Sequence, residues 1–198
     1  MPEMVTDGDL RSIATPTLRL AFRWVGDRWT HAIDVGRDAR VPIAWPIEGD
    51  PARDDPARVV SPAFQQLEFQ EAGSGLQALL VGQSGPHHFS AVFTVEESGG
   101  GAAVTVDVAD RCRGPVEALA STYWVDAVSG DLVDADESAI RWSVAGGRLG
   151  FEATPPTRAQ LSEAGRRATR VQATAPIVAG VHTHRCIYRW RWSMDRII

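Results

Sequence analysis

Residues 180–194 read GVHTHRCIYRWRWSM, and the fold turns on the alternation inside that stretch. An extended chain sends successive side chains to opposite faces. One face then carries His182, His184, Cys186, Tyr188, Trp190, Trp192 and Met194; the other carries Thr183, Arg185, Ile187, Arg189, Arg191 and Ser193. The arginines form a stripe of their own, opposite a stripe of large rings. They are not the interleaved basic and aromatic surface that tracks phosphates, and a net charge of −5 points the same way. No nucleic acid partner is expected.

The period of two continues outward from there. Residues 17–35, TLRLAFRWVGDRWTHAIDV, read as a hairpin with Leu18, Leu20, Phe22 and Trp24 on one face and Arg19 and Arg23 on the other. Gly26 and Asp27 turn it. The runs FQQLEFQ (64–70), LQALLVGQ (76–83), HFSAVFTVEE (88–97), AAVTVDVAD (102–110), STYWVDAV (121–128), AIRWSV (139–144) and RLGFEAT (148–154) add further strands. LQALLVGQ is apolar on both faces and predicts a buried central strand. Only TRAQLSEAGRR (157–167) reads as a helix, with Thr157 as its cap. Roughly ten strands at short spacing predict an all-β domain spanning 1–198, an antiparallel β-barrel or sandwich with one short helix near residues 157–167. In strand count and pattern it is calycin-like, a comparison of architecture that carries no function. Residues 40–62 hold Pro42, Pro46, Pro51, Pro56 and Pro62 and predict a proline-rich arm. Two readings of that arm compete: a lid over a binding site, or an ordered strap pinned by Ile43, Trp45 and Ile47.

Composition narrows the chemistry. All 20 basic residues are arginine, so Schiff-base, P-loop and kinase chemistry built on lysine are excluded. No run of about 18 apolar residues exists, so no membrane helix is expected. The first residues, MPEMVTDGDL, lack a basic region followed by an apolar one, which predicts a cytoplasmic protein. Cys112 and Cys186 are expected as free thiols. Cys112 lies between Arg111 and Arg113, a setting that activates a thiol only if the guanidiniums stay close.

Three functional readings follow. The first is a non-catalytic domain binding a small molecule, partly apolar or anionic, with Arg23, Arg189 and Arg191 as charges and Trp24, Tyr188 and Trp190 as walls. It requires the arginine stripe to face a lumen, as one face of every barrel strand does; the competing reading is a solvated outer face. The second is an enzyme holding a divalent transition metal. His182 and His184, about 6–7 Å apart on one strand face, would take a third ligand from His87, His88 or His31. The third is an interaction module offering a strand edge or aromatic patch to a partner or to a second copy in a homo-oligomer. Ser84 in GQSGPHHF lacks the strand–turn–helix setting of a nucleophile elbow and reads as a hairpin turn. Asp131, Asp134, Asp136 and Glu137 read as a solvated acidic loop lacking an EF-hand register.

Overall fold

The computed structural model describes residues 1–36, 41–47, 55–73, 75–126, 130–144, 146–164 and 168–194. They form seventeen strands and no helix. The order is β1 (Glu3–Asp7), β2 (Leu10–Ala14), β3 (Leu18–Val25), β4 (Arg28–Val35), β5 (Val41–Pro46), β6 (Arg58–Val59), β7 (Gln66–Ala72), β8 (Gly75–Ser84) and β9 (His87–Ser98). It continues with β10 (Gly101–Cys112), β11 (Ala118–Asp126), β12 (Gly130–Ala135), β13 (Ala139–Val144), β14 (Gly147–Ala153), β15 (Arg158–Ala164), β16 (Ala168–Thr174) and β17 (Thr183–Met194).

The strands make two sheets packed face to face. One runs β1-β2-β3-β4-β5-β11-β16-β15, with β6 beside β11; the other runs β12-β13-β14-β17-β10-β9-β8-β7. Neither path returns to its first strand, so the architecture is a sandwich and the barrel alternative is corrected. The decisive stretch behaves as its alternation predicts. His184, Cys186, Tyr188, Trp190 and Trp192 are buried, while Arg185 and Arg191 are exposed. In a sandwich the far face of β17 meets water, so the arginine stripe lines no lumen. Each guanidinium there finds an acid across the sheet: Arg185 binds Asp107, Arg189 lies 2.9 Å from Glu96, and Arg191 lies 3.9 Å from Glu152. Such exposed pairs contribute at most about 1 kcal/mol each.

The helix expected at 157–167 is also corrected. Arg158–Ala164 forms β15 and pairs antiparallel with β16, from Arg158 opposite Thr174 to Ala164 opposite Thr169. Residues 165–167 lie outside the described part. Thr157 caps nothing; its hydroxyl accepts a hydrogen bond from the Ile187 amide at 2.9 Å. Helix propensity differs by only a few tenths of a kcal/mol per residue, and a lone eleven-residue helix is marginal in water. Burying Ala159 and packing Leu161 against the core outweighs it. The acidic loop is likewise partly ordered, because β12 takes in Asp134, which pairs with Arg141 at 3.1 Å. Asp136 binds the Ser138 and Ala139 amides and closes the β12–β13 turn.

The proline-rich arm divides in two. Val41–Pro46 is a strand between β4 and β11, with Ile43 buried and Trp45 facing outward. Residues 48–54 lie outside the described part. Residues 55–65 then form a strap across one open side of the sandwich. On sheet one Val59 lies opposite Leu119, the Thr122 hydroxyl donates to the Val60 carbonyl at 2.7 Å, and the Glu117 amide donates to the Ala57 carbonyl at 2.8 Å. The strap then reaches both sheets, as Trp29 donates to the Phe64 carbonyl and Gln65 to the Val81 carbonyl. Its approach to β8 requires a glycine: a Cβ on Gly82 would stand 2.1 Å from the Ala63 carbonyl oxygen.

Candidate functional site

Two groups of polar side chains lie between the sheets, both beneath the strap. The first joins the sheets through three rings. His31 on β4 faces inward beside Phe22 and Phe93. Its Nε2 lies 2.8 Å from the Tyr123 hydroxyl of β11, which lies 2.6 Å from the Tyr188 hydroxyl of β17. All three side chains are buried. Burial holds His31 down to about 3, so the imidazole is neutral at ordinary pH. Burial also raises both phenols well above the usual tyrosine value, so both keep their protons.

These rings form one wall of a small pocket, open to solvent, whose free interior is about 10 Å³. Trp29, Pro46, Phe64 and Phe93 supply apolar lining, and Ser61, Ser121 and Thr122 add hydroxyls. Among the described residues none that is charged lines it. The free interior has room for about one water. Removing the hydroxyl in Tyr188→Phe leaves Tyr123 one partner short in a dry setting. The expected cost is about 1–2 kcal/mol, read as a lower urea midpoint with an unchanged m-value.

The second group sits at the paired ends of β9 and β10, where the register sets His87 opposite Cys112 and Phe89 opposite Asp110. His87 Nδ1 is 2.7 Å from Asp110 Oδ2, and Nε2 is 2.6 Å from the carbonyl oxygen of Pro56 in the strap. Cys112 Sγ lies 3.9 Å from the same Nε2 and accepts from the Gly114 amide at 3.3 Å. A carbonyl oxygen only accepts, so Nε2 carries a hydrogen. The remaining proton lies between Nδ1 and Oδ2, and the pair as a whole is neutral.

The residues singled out from the sequence are scattered across these features. Tyr188 lines the cavity. Trp190 stands behind it, with its ring centroid 5.2 Å from that of Tyr123. Trp24 is 44% exposed and packs edge-on against Trp29, which lines the cavity. Arg23, Arg189 and Arg191 point away from the interior. Of the histidines, His87 and His184 are buried on the inner face of sheet two, with His184 opposite Asp110 on β10. His88 faces outward, and His182 is exposed before β17 begins. His31 belongs to the tyrosine group. Among the described residues no three histidine, cysteine or carboxylate side chains stand where one metal ion could be shared. Ser84 is exposed beside the Gly85–Pro86 turn. Among the described residues no helix is long and apolar enough to cross a membrane.

Sequence reasoning missed both polar groups because their members are far apart in the chain. His31 and Tyr123 are 92 residues apart, and His87 and Cys112 are 25 apart. The one available signal was the alignment of HHF with DRC across a hairpin, which needs the register to be known.

No known protein family matches the chain, and no curated protein matches it. Among solved structures the chain path is similar to that of 4-alpha-glucanotransferase from Thermococcus litoralis, with a TM-score of 0.48 at 9% identity. That match covers 98% of this chain and 39% of the other.

Proposed function

We propose that the chain is a non-catalytic binding domain for a small, uncharged molecule carrying a ring and one hydroxyl or carbonyl group. The observation that carries this reading is the hydrogen-bonded line of His31, Tyr123 and Tyr188 along a pocket with no charged residue in its wall among the described residues. A charged ligand entering there would shed its hydration and meet no countercharge. A neutral one would place its ring between Trp29, Phe64 and Phe93, with its polar group against the hydroxyls, the usual division of labour in small-molecule sites. The pocket as it stands has room for about one water, so entry requires Ser61, Pro62 and Phe64 of the strap to give way. An anionic ligand is not favoured, because Arg23, Arg189 and Arg191 lie on other faces.

The test uses phenol and cyclohexanol as probes and follows the Trp29 indole and His31 ring signals by NMR. Both probes are expected to give saturable shifts, and Val108→Phe, which fills part of the wall, should weaken them at least fivefold. Shifts that stay linear up to the solubility limit of both probes, or that ignore the Val108 change, would overturn the reading. The metal-enzyme reading has no supporting cluster among the described residues.

A further inference from the structure

We propose that Cys112 is a nucleophilic thiol, activated by His87 and kept covered by the strap at residues 55–65. The thiol, imidazole and carboxylate stand in the order that cysteine nucleophiles use: Sγ beside Nε2, and Nδ1 held by Asp110. A second feature marks the cluster as more than a fastening. Asp110 is fully buried, yet among the described residues its Oδ1 has no hydrogen-bond partner. A buried carboxylate left half-satisfied costs stability, and native structures keep few such atoms without a use. The strap does not need this cluster to stay in place. The Val59–Leu119 pairing, the Thr122–Val60 hydrogen bond and the Arg58–Glu117 ion pair already hold it.

The closed state explains why the thiol is silent. Cys112 is 1% exposed, and the Nε2 hydrogen is committed to the Pro56 carbonyl. When the strap lifts, that acceptor leaves and Cys112 Sγ is the neighbour that replaces it. Opening also admits water, which takes the thiol proton; the thiolate left behind accepts from Nε2–H while Asp110 holds Nδ1–H, which makes Asp110 a positioning residue. The thiol would react once, without turnover, with small carbon electrophiles. With iodoacetamide the thiolate sulfur forms the new S–C bond, the C–I bond breaks, iodide departs with the electron pair, and His87 keeps its proton. The site is separate from the tyrosine cavity. The Phe89 ring stacks on His87 at 5.7 Å and the Phe64 ring meets Phe89 at 6.4 Å, so an aromatic layer lies between the two.

Site-resolved iodoacetamide labelling of the native full chain, read by mass spectrometry, tests the proposal with Cys186 as internal reference. Cys186 is equally buried, in a central strand, and its thiol is pushed up to about 12 by that burial. Cys112 is expected to label at least tenfold faster than Cys186. Strap opening is measured in parallel by hydrogen exchange of the Glu117 and Ala118 amides, which donate to the Ala57 carbonyl. His87→Gln separates activation from mere access, because it weakens the fastening at Pro56 and removes the imidazole together. Rates normalised to strap opening should fall at least fivefold in His87→Gln and in Asp110→Asn. Gly82→Ala, whose added Cβ displaces the strap at Ala63 and Phe64, should raise Cys112 labelling and leave Cys186 unchanged. If His87→Gln does not fold, Gly82→Ala and Asp110→Asn decide. Equal labelling of the two cysteines overturns the proposal. So does a Cys112 rate that tracks strap opening alone in every variant.

Discussion

Replacing Trp190 by alanine is expected to remove about 4 kcal/mol of stability, the largest loss from any single ring in the molecule. The side chain is fully buried on β17, midway along the strand that joins β10 to β14. Its ring meets Phe151 at 4.6 Å between centroids and Tyr123 at 5.2 Å, and it stacks on Trp142. Tyr123 belongs to the opposite sheet, so Trp190 is one of the rings through which the two layers are joined by aromatic contact. Its removal leaves a cavity that rigid rings on three sides cannot collapse to fill, the circumstance in which large-to-small changes cost most. A domain of this size has about 5–15 kcal/mol in all, so the loss amounts to roughly a quarter or more of it. Thermal unfolding should show a midpoint lower by about 8–16 °C. Trp24→Ala is the control. That ring is nearly half exposed and touches Trp29 alone among the aromatic side chains, so its loss should stay near 1 kcal/mol. Similar losses for the two changes would mean that the alternating face of β17 is not the seam of the sandwich.

That seam was legible in the sequence because a half-buried strand writes its environment into every second residue. In residues 183–194 the aromatic and guanidinium groups separate cleanly, and the same code exposes β3, β9, β10, β13 and β14. Where the code failed, another force had taken over. β15 has a helix-forming composition, but tertiary packing of Ala159 and Leu161 prevails over a weak local preference. β5 contains Pro42 and Pro46, which read as breakers. Pro42 is tolerated because it falls where the β4–β5 register shifts, between Ile33 and Asp34, and a ladder hydrogen bond is not required there. β1 and β2 alternate too weakly to register, since every residue of β1 is exposed. LQALLVGQ, apolar on both faces, forms β8, which stands next to the edge of its sheet rather than at its centre. The polar groups under the strap were not legible at all. A histidine's partner across a sheet depends on register and on which strand is next in space, and neither property is local in the chain.

The His31 imidazole makes the second large prediction, because burial sets its charge state against that of the unfolded chain. In the folded protein it stays neutral down to about pH 3; unfolded, it takes a proton near pH 6.5. Between those values the unfolded chain binds a proton that the folded one refuses. Stability therefore falls as the pH drops from about 6.5 towards 3, and it is unaffected by this group above 6.5. The difference amounts to about 3 kcal/mol between pH 7 and pH 4. His31→Gln keeps a hydrogen-bonding group near the Tyr123 hydroxyl but cannot titrate. Urea unfolding at pH 7 and pH 4 should show the wild-type chain losing about 3 kcal/mol more than the variant over that interval. Every other ionisable group is common to both proteins and cancels in the comparison. Parallel pH curves would mean that His31 is hydrated or charged in the fold, and the uncharged cavity would then lose its physical basis. A steeper acid limb in the wild type alone would tie the polarity of the cavity to the burial of one ring. It would also predict that phenol, by filling space beside that ring, stabilises the protein equally at both pH values.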